Sequence, residues 1–434
     1  MRTSIGADTR AAVFGYGVEG RAALGWLLRS GARARVIAPR RPDDLDAAVP
    51  WAPETDVEAA LGGRDILVKS PGIKPSHPIV VEARRRGLAV VSATSLFVDR
   101  ARAAGIAVVG VTGSKGKSTT ATLIHRTLTA AGVPSVLVGN IGRCALDILE
   151  EVVSARPVVV FEMSSYQTHD LNEGPSVAVI SRLFPEHLDW HGGVEAYYEA
   201  KLRVARTQRP DDLTIYNAAD PELARRAPLG PARHRAVGTG PLRFSDERMR
   251  LRGAHNRINA ALAHAAAENF GAGRAHLEEV LASFEGLPHR LEDLGVHRGV
   301  RWINDSIATA PEAAVAALEA LGDEVATYIG GGLDRGYDFA PLARELVARG
   351  IPNVIVIPPG GGRIVEAIAA IAPRAAASAH AAADLAEAVA LAAKLTPPGK
   401  TVLFSPASPS YGTFRNFEER GELFRAMVRG KETS

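Results

Sequence analysis

Cysteine is nearly missing from this chain. Cys144 is the one thiol in 434 residues, which excludes an internal disulfide and a cysteine-based metal site and fits a reducing cytosol. Long apolar runs are missing too: none approaches the about 20 residues that span a bilayer. The N-terminus also lacks the basic-then-apolar pattern of a signal peptide, so a soluble cytoplasmic protein without membrane insertion is expected. Neither sign of charge is in excess. With 51 basic residues against 48 acidic, a net charge of +3, and no basic run interleaved with aromatics, nucleic acid is a poor partner. No repeat recurs at solenoid or propeller spacing. What remains is an alanine- and arginine-rich chain, a usage that reflects genome base composition. It is too long for one ordinary core, and two or three domains are expected.

The strongest local signal is Val108-Val109-Gly110-Val111-Thr112-Gly113-Ser114-Lys115-Gly116-Lys117-Ser118-Thr119-Thr120, an apolar strand that breaks into a glycine-rich turn and then a helix over 118–131. It reads as a phosphate cradle. Gly113 and Gly116 let backbone N–H groups approach phosphate oxygens, Lys117 adds a point charge towards the β and γ positions, and the Ser118 hydroxyl suits magnesium. The helix aims its positive end at the same anion. The position five before Gly116 is Val111, so the motif is the compact Thr-Gly-x-x-Gly-Lys-Ser form.

Upstream, strand and helix alternate. Residues 11–14 form a short apolar strand entering Gly15-Tyr16-Gly17-Val18-Glu19-Gly20, with a helix following through residue 29, which is the dinucleotide fingerprint. The second strand, 34–38, ends in Pro39-Arg40-Arg41 where a ribose-binding acid is expected, so NAD is disfavoured. The two arginines suit the 2′-phosphate of NADP, and suit another nucleotide diphosphate equally. A third strand, 65–69, runs into Ser70-Pro71-Gly72-Ile73, a turn at the edge where open α/β sheets bind ligands.

Downstream of the cradle, the apolar strand 157–161 delivers Glu162-Met163-Ser164-Ser165, and the strand 177–180 delivers Phe184-Pro185-Glu186-His187-Leu188-Asp189. If these strands run parallel to the one before the cradle, Glu162 and His187 emerge beside the magnesium and triphosphate. Lys201, on a helix beginning near 194, is by itself a surface lysine. Gly253-Ala254-His255-Asn256-Arg257-Ile258-Asn259 opens an alanine-rich helix with two amides one turn apart. They suit a purine edge, or capping at Asn256 as the simpler reading of the spacing. Beyond Gly286, strands over 300–303, 325–329, 354–357 and 401–404 alternate with helices over 311–321, 339–349 and 416–429. Their ends carry Asn304-Asp305-Ser306, the glycine-rich run from Gly330 to Gly336 that includes Arg335, and Ser405-Pro406-Ala407-Ser408-Pro409-Ser410, a second ligand-binding edge.

Together these residues resemble the Mur ligases, ATP-dependent amino-acid-adding enzymes of peptidoglycan precursor synthesis. The matching elements are the cradle, Gly139-Asn140-Ile141-Gly142, Glu162-x-Ser164-Ser165, His187-Leu188-Asp189, Lys201, the Asn256 region, His289-Arg290 and Asn304-Asp305-Ser306. Ser70-Pro71-Gly72-Ile73 and Asn416-Phe417-Glu418-Glu419-Arg420-Gly421 follow the branch that adds glutamate to UDP-N-acetylmuramoyl-L-alanine. The resemblance implies an α/β chain of three domains: a Rossmann-like UDP-sugar domain over 1–105, a central P-loop ATPase domain with a parallel sheet over 106–286, and a Rossmann-like glutamate-binding domain over 287–434. It implies a monomer using ATP and two Mg²⁺ ions, with Ser118 and Glu162 on one metal, His187 on a second, and Lys201 carbamylated beside them. Gly113, Ser114, Lys115, Gly116, Lys117, Ser118, Thr119, Asn256, Asn259, Arg290 and Asp305 would contact ATP. Gly15, Gly17, Ser70, Asn140 and His187 would face the UDP-sugar, with Ser410 and Phe417 on the glutamate side.

Departures from the family pattern are informative. Lys115, Arg182 and Arg335 keep polarity and leave the reaction class intact. Ile307 stands for a usual Lys and Gly412 for a usual Asp, as if a charged pair beside the glutamate pocket had been dismantled. These changes resemble the less common branch that adds L-glutamate and relies on a separate epimerase. The same reaction with D-glutamate, a folylpolyglutamate synthetase-like ligase and an NADP-dependent oxidoreductase stay open as alternatives.

Overall fold

The computed structural model describes residues 5–238, 249, 254–284, 286–334, 336–376 and 379–430. Two compact units divide the chain, 1–283 and 284–434. The first carries two parallel sheets. In one, strands β1 (Arg10–Phe14), β2 (Arg33–Ile37), β3 (Trp51–Ala52), β4 (Ile66–Lys69) and β5 (Ala89–Ser92) take the order β3-β2-β1-β4-β5. In the other, β6 (Val108–Thr112), β7 (Ser135–Gly139), β8 (Val158–Glu162), β9 (Val177–Ile180), β10 (Leu213–Asn217) and β11 (Arg233–Val237) take the order β11-β10-β9-β6-β8-β7. Strands β4, β6, β8 and β9 are buried at every position, which their unbroken apolar runs dictate once helices cover both faces of a parallel sheet.

The order of connection reverses at β1/β4 in one sheet and around β6 in the other, and reversal opens a crevice at the carboxyl ends of the strands. Gly15 and Ser70 lie at the first crevice; the glycine-rich turn, Glu162 and Ser181 lie at the second. Arg102, on the helix Ala93–Ala103, grips Asp212 before β10 with bonds of 2.7 and 2.8 Å, joining the two layers of this unit.

The second unit holds β12 (Glu292–His297), β13 (Val300–Asn304), β14 (Val325–Gly331), β15 (Asn353–Ile357), β16 (Ala379–Ala381) and β17 (Thr401–Phe404) in the order β12-β13-β17-β14-β15-β16. All its pairings are parallel except β12 with β13. Strands β3, β5, β7, β10, β11, β12 and β16 were not expected from the sequence. Two are only two or three residues long, and β12 is a half-exposed polar edge strand whose alternation is broken by a register shift between Asp293 and Val296.

The capping reading of Asn256 does not hold. Asn256 is the third residue of the helix Ala254–Glu268, inside it and not at its cap, and its Oδ1 accepts from Asn259 Nδ2 at 3.1 Å. Gly253 and Arg335 lie outside the described residues. Among the described residues, no helix is long and apolar enough to cross a membrane.

Candidate active site

Steric crowding explains both glycines of the turn after β6. Gly113 has φ +145°, and a Cβ there would lie 2.1 Å from Ser181 Oγ; Gly116 has φ +86°, and its Cβ would lie 2.4 Å from Asn259 Oδ1. That second contact sets the Asn256–Asn259 amide pair beside the turn. The helix Lys117–Ala130 starts with no side-chain cap, leaving its first N–H groups for an anion. Lys117 Nζ donates to the carbonyls of Gly113 and Ser114, both at 3.0 Å. The turn is laced to the segment after β9: Ser114 N donates to Arg182 O at 2.6 Å, and Ser181 Oγ donates to Lys115 O at 2.6 Å. Ser114 Oγ donates to Phe184 O at 2.7 Å, so this hydroxyl fixes a loop. Lys115 pairs with Glu186 at 3.0 Å.

Behind Lys117, Ser118 Oγ donates to Glu162 Oε1 at 3.0 Å. Glu162 is 3% exposed, and its Oε2 is buried without a hydrogen-bond donor. A buried carboxylate oxygen lacking a donor is costly, and a hard divalent cation satisfies it. Carboxylate plus hydroxyl oxygens, with phosphate oxygens adjacent, is the donor set magnesium takes, so these residues fit that ion. Asn140 is pinned alongside, because its N–H donates to Glu162 O at 3.2 Å and a Cβ on the preceding Gly139 would collide with that same carbonyl at 2.2 Å.

Lys201 projects from the helix Val194–Arg206 and is 2% exposed. Its ammonium donates to Gly113 O at 2.7 Å and lies 4.8 Å from the Tyr197 ring centroid. Burial, aided by the charge of Lys117, holds its pKa well below the usual lysine value. His187 takes a left-handed conformation, φ +56°, at the start of the one-turn helix Leu188–His191 and packs on Tyr166 at 5.1 Å. Desolvation lowers its pKa against the opposing charge of Glu186, so its imidazole is neutral at neutral pH.

Several of these groups line an open cleft of about 470 Å³. Gly17, Glu19 and Ser70 line it from the first sheet, and Lys117, Asn140, His187 and Lys201 from the second. A second cleft of about 580 Å³ lies against the ends of β1, β2 and β4, lined by Gly15, Ala38, Glu54, Gly72 and Lys74. A Cβ on Gly15 would come within 2.7 Å of Ser70 Oγ, and one on Gly20 within 2.0 Å of Gly15 O, so the fingerprint glycines set close strand–helix packing here. Arg41, one of the two candidate 2′-phosphate receptors, donates instead to the carbonyls of Val49, Leu45 and Asp46, with the tightest bond 2.9 Å. That weakens the NADP reading.

In the second unit, the ends of β13 and β17 meet the start of the helix Phe417–Val428, which Asn416 caps. Asp305 is buried and accepts from Leu291 N at 3.1 Å and Ser405 Oγ at 2.8 Å. Arg290 sits between His289 and Leu291, both of positive φ. Ser410 is buried and accepts from Phe414 N at 3.0 Å, and the carbonyl of Phe417 accepts from Ser306 Oγ at 2.8 Å. Sequence reasoning overlooked Arg420. Fully buried, it donates to Ser306 O at 2.7 Å and Ser408 O at 3.0 Å, joining both loops. It also overlooked Glu19, Tyr166 and Glu186 as cleft-lining groups.

Comparison with known proteins agrees with this architecture. Residues 111–241 match the Mur ligase middle domain, and 289–408 match the Mur ligase glutamate ligase domain. A UDP-N-acetylmuramoyl-L-alanine–L-glutamate ligase from Salinispora tropica is 39% identical, covering 99% of both chains. A UDP-N-acetylmuramoylalanine–D-glutamate ligase from Symbiobacterium thermophilum is 37% identical, covering 96% of this chain and 97% of its own. A solved MurF structure from Acinetobacter baumannii shares the fold with a TM-score of 0.60 at 18% identity, covering 98% of this chain and 92% of its own. Identity at this level along the whole length, with both domain matches in order, means that the chain belongs to the Mur ligase family.

Proposed function

We propose that this protein is an ATP-dependent ligase that joins L-glutamate to UDP-N-acetylmuramoyl-L-alanine through an acyl phosphate, as a step of peptidoglycan precursor synthesis. One observation carries the reading. A single cleft brings Lys117 of the phosphate turn, a desolvated lysine at Lys201 and the imidazole of His187 beside the Ser70 turn, and Ser118, next to Lys117, donates to the buried carboxylate of Glu162, whose other oxygen has no donor. An oxidoreductase would leave that constellation without a role. In this reading residues 1–105 serve the UDP-sugar, 106–286 ATP and 287–434 glutamate.

In this reading the turn N–H groups and Lys117 hold the β- and γ-phosphates of ATP, and the UDP-sugar lies from the Gly15–Gly17 turn and Ser70 towards Asn140. The γ-phosphoryl group passes to the alanine carboxylate, giving ADP and an acyl phosphate. The glutamate amine then attacks the acyl carbon, phosphate leaves and the amide forms. Lys117 offsets charge on the transferring group, and holding carboxylate and phosphate together in one cleft supplies the proximity. Ser118 and Glu162 would hold one Mg²⁺, and His187 with carbamylated Lys201 a second, neutralising phosphate charge when bound. Carbamylation needs an unprotonated amine, which the environment of Lys201 favours. Asn256, Asn259, Arg290 and Asp305 would contact ATP, and Ser410 and Phe417 the glutamate.

The choice of L-glutamate rests on two positions. Ile307 is half-buried hydrocarbon, and Gly412 has open space around it with φ +91°, so the usual cation and anion are missing together. Enantiomers carry the same charged groups in different arrangements, and a pocket separates them by where its partners stand. Relatives named for either isomer are similar to this chain, so direct assay decides. With each pure enantiomer at equal concentration, initial rates should favour L-glutamate by about tenfold or more, ~1.4 kcal/mol in transition-state binding. Faster turnover of D-glutamate would overturn the assignment.

A further inference from the structure

The turn at 70–73 is tied to the segments carrying Asp170 and His187 by contacts that the phosphate chemistry does not need. Lys69 ends β4 with its side chain fully buried. Its ammonium donates across the turn to Ile73 O at 3.2 Å and makes an ion pair with Asp170 Oδ2 at 2.5 Å, out of hydrogen-bond alignment. His169 Nδ1 meets the other oxygen of Asp170 at 2.9 Å. Burial alone would raise the pKa of Asp170, but the His169 hydrogen bond and the Lys69 charge outweigh it and hold the group ionised.

A second tie reaches the same turn from another direction. The indole N–H of Trp190, three residues past His187, donates to Gly72 O at 2.9 Å. Its ring meets Tyr166 edge-on at 4.9 Å, and Tyr166 packs on His187 at 5.1 Å. The Lys69 ammonium lies 5.8 Å from the Trp190 ring centroid, so the two ties touch. A buried ion pair is seldom worth more in stability than apolar packing of the same shape, and its attested use is to specify one arrangement over others.

We infer that Lys69, Asp170 and Trp190 are positioning residues that latch the 70–73 turn to the His187 segment, so that a uridine diphosphate sugar bound at the turn is presented to Lys117, Lys201 and His187 in one orientation. The inference rests on the ligase reading of the cleft. Its consequence is a coupling borne by the protein itself. A nucleoside diphosphate that orders the turn also orders the His187 segment, and ATP binding then has less ordering to do.

UDP is the probe, because it lacks the sugar and alanine that could touch ATP directly. In the wild-type chain, saturating UDP should tighten binding of the Mg²⁺ complex of a non-hydrolysable ATP analogue by about tenfold, within the range of measured coupling between sites. In Trp190→Phe, and in the double variant Lys69→Met with Asp170→Asn, the factor should fall below about twofold while each ligand alone binds within about threefold of wild type. Trp190→Phe keeps an aromatic side chain there and loses the indole N–H that donates to Gly72 O, so it decides the matter even if the double variant fails to fold. Full coupling in these variants, or none in the wild type, overturns the latch. A wild-type chain that binds the ATP analogue but not UDP overturns the ligase reading itself, and the latch with it.

Discussion

Replacing Lys117 with alanine should lower phosphoryl transfer by about a thousandfold or more, ~4 kcal/mol, the scale on which enzymes lose a group aimed at developing charge. The residue stands at the first position of the helix Lys117–Ala130, with its ammonium laid over the carbonyls of Gly113 and Ser114. A bound triphosphate offers it a far stronger partner than two neutral carbonyls. The loss should appear mainly in kcat, because the interaction strengthens as the γ-phosphoryl group transfers. The turn keeps its shape through Ser114 and Ser181, so the melting temperature should stay within a few degrees. Single-turnover ADP formation with a parallel thermal melt checks both statements. Activity within a few-fold of wild type would remove Lys117 from the mechanism.

Lys201→Ala should be comparably inactive, by about a thousandfold, and unlike Lys117→Ala it should respond to chemical rescue. A lysine buried to this degree, donating to Gly113 O and beside Lys117, is a poor place to keep a positive charge. Under the proposed mechanism, conversion of its amine to a carbamate would replace that cation with an anion among cations. Removing the side chain leaves space next to the turn and would take the proposed anion away, and a short carboxylate such as formate or acetate can enter and supply one. Rates measured across a series of small acids should therefore rise at least about tenfold over the unrescued variant, an energy of ~1.4 kcal/mol. If no acid restores activity, the carbamate loses its support while the amine remains a candidate for direct contact with substrate.

The cradle could be read from sequence because its chemistry is local: strand, glycines, Lys117, Ser118 and helix follow one another within a dozen residues. Glu162 and His187 were legible one step less directly. Apolar strands announce a parallel sheet, and parallel sheets put their carboxyl-terminal turns on one edge. The latch was not legible. Lys69 and Asp170 are far apart in the chain, and nothing in the neighbourhood of either says that a charge will be buried there or what will meet it. Arg420 was similarly opaque, since an arginine in a charged helix reads as solvated until the loops at Ser306 and Ser408 close on it. The capping alternative at Asn256 failed for a local reason: its helix begins earlier than the amide pattern indicates, and the two amides pair with each other. Strands β3 and β16 were too short, and β12 too polar, for periodicity to show.

The decisive measurement is ADP release by the purified chain supplied with ATP and Mg²⁺, adding UDP-N-acetylmuramoyl-L-alanine and L-glutamate singly and together, with the product weighed by mass spectrometry. Sustained ADP formation is predicted only when both substrates are present, in step with one UDP-sugar product heavier by one glutamyl residue. ADP released at the same rate without the UDP-sugar, or with it but without amide product, would contradict the proposed reaction.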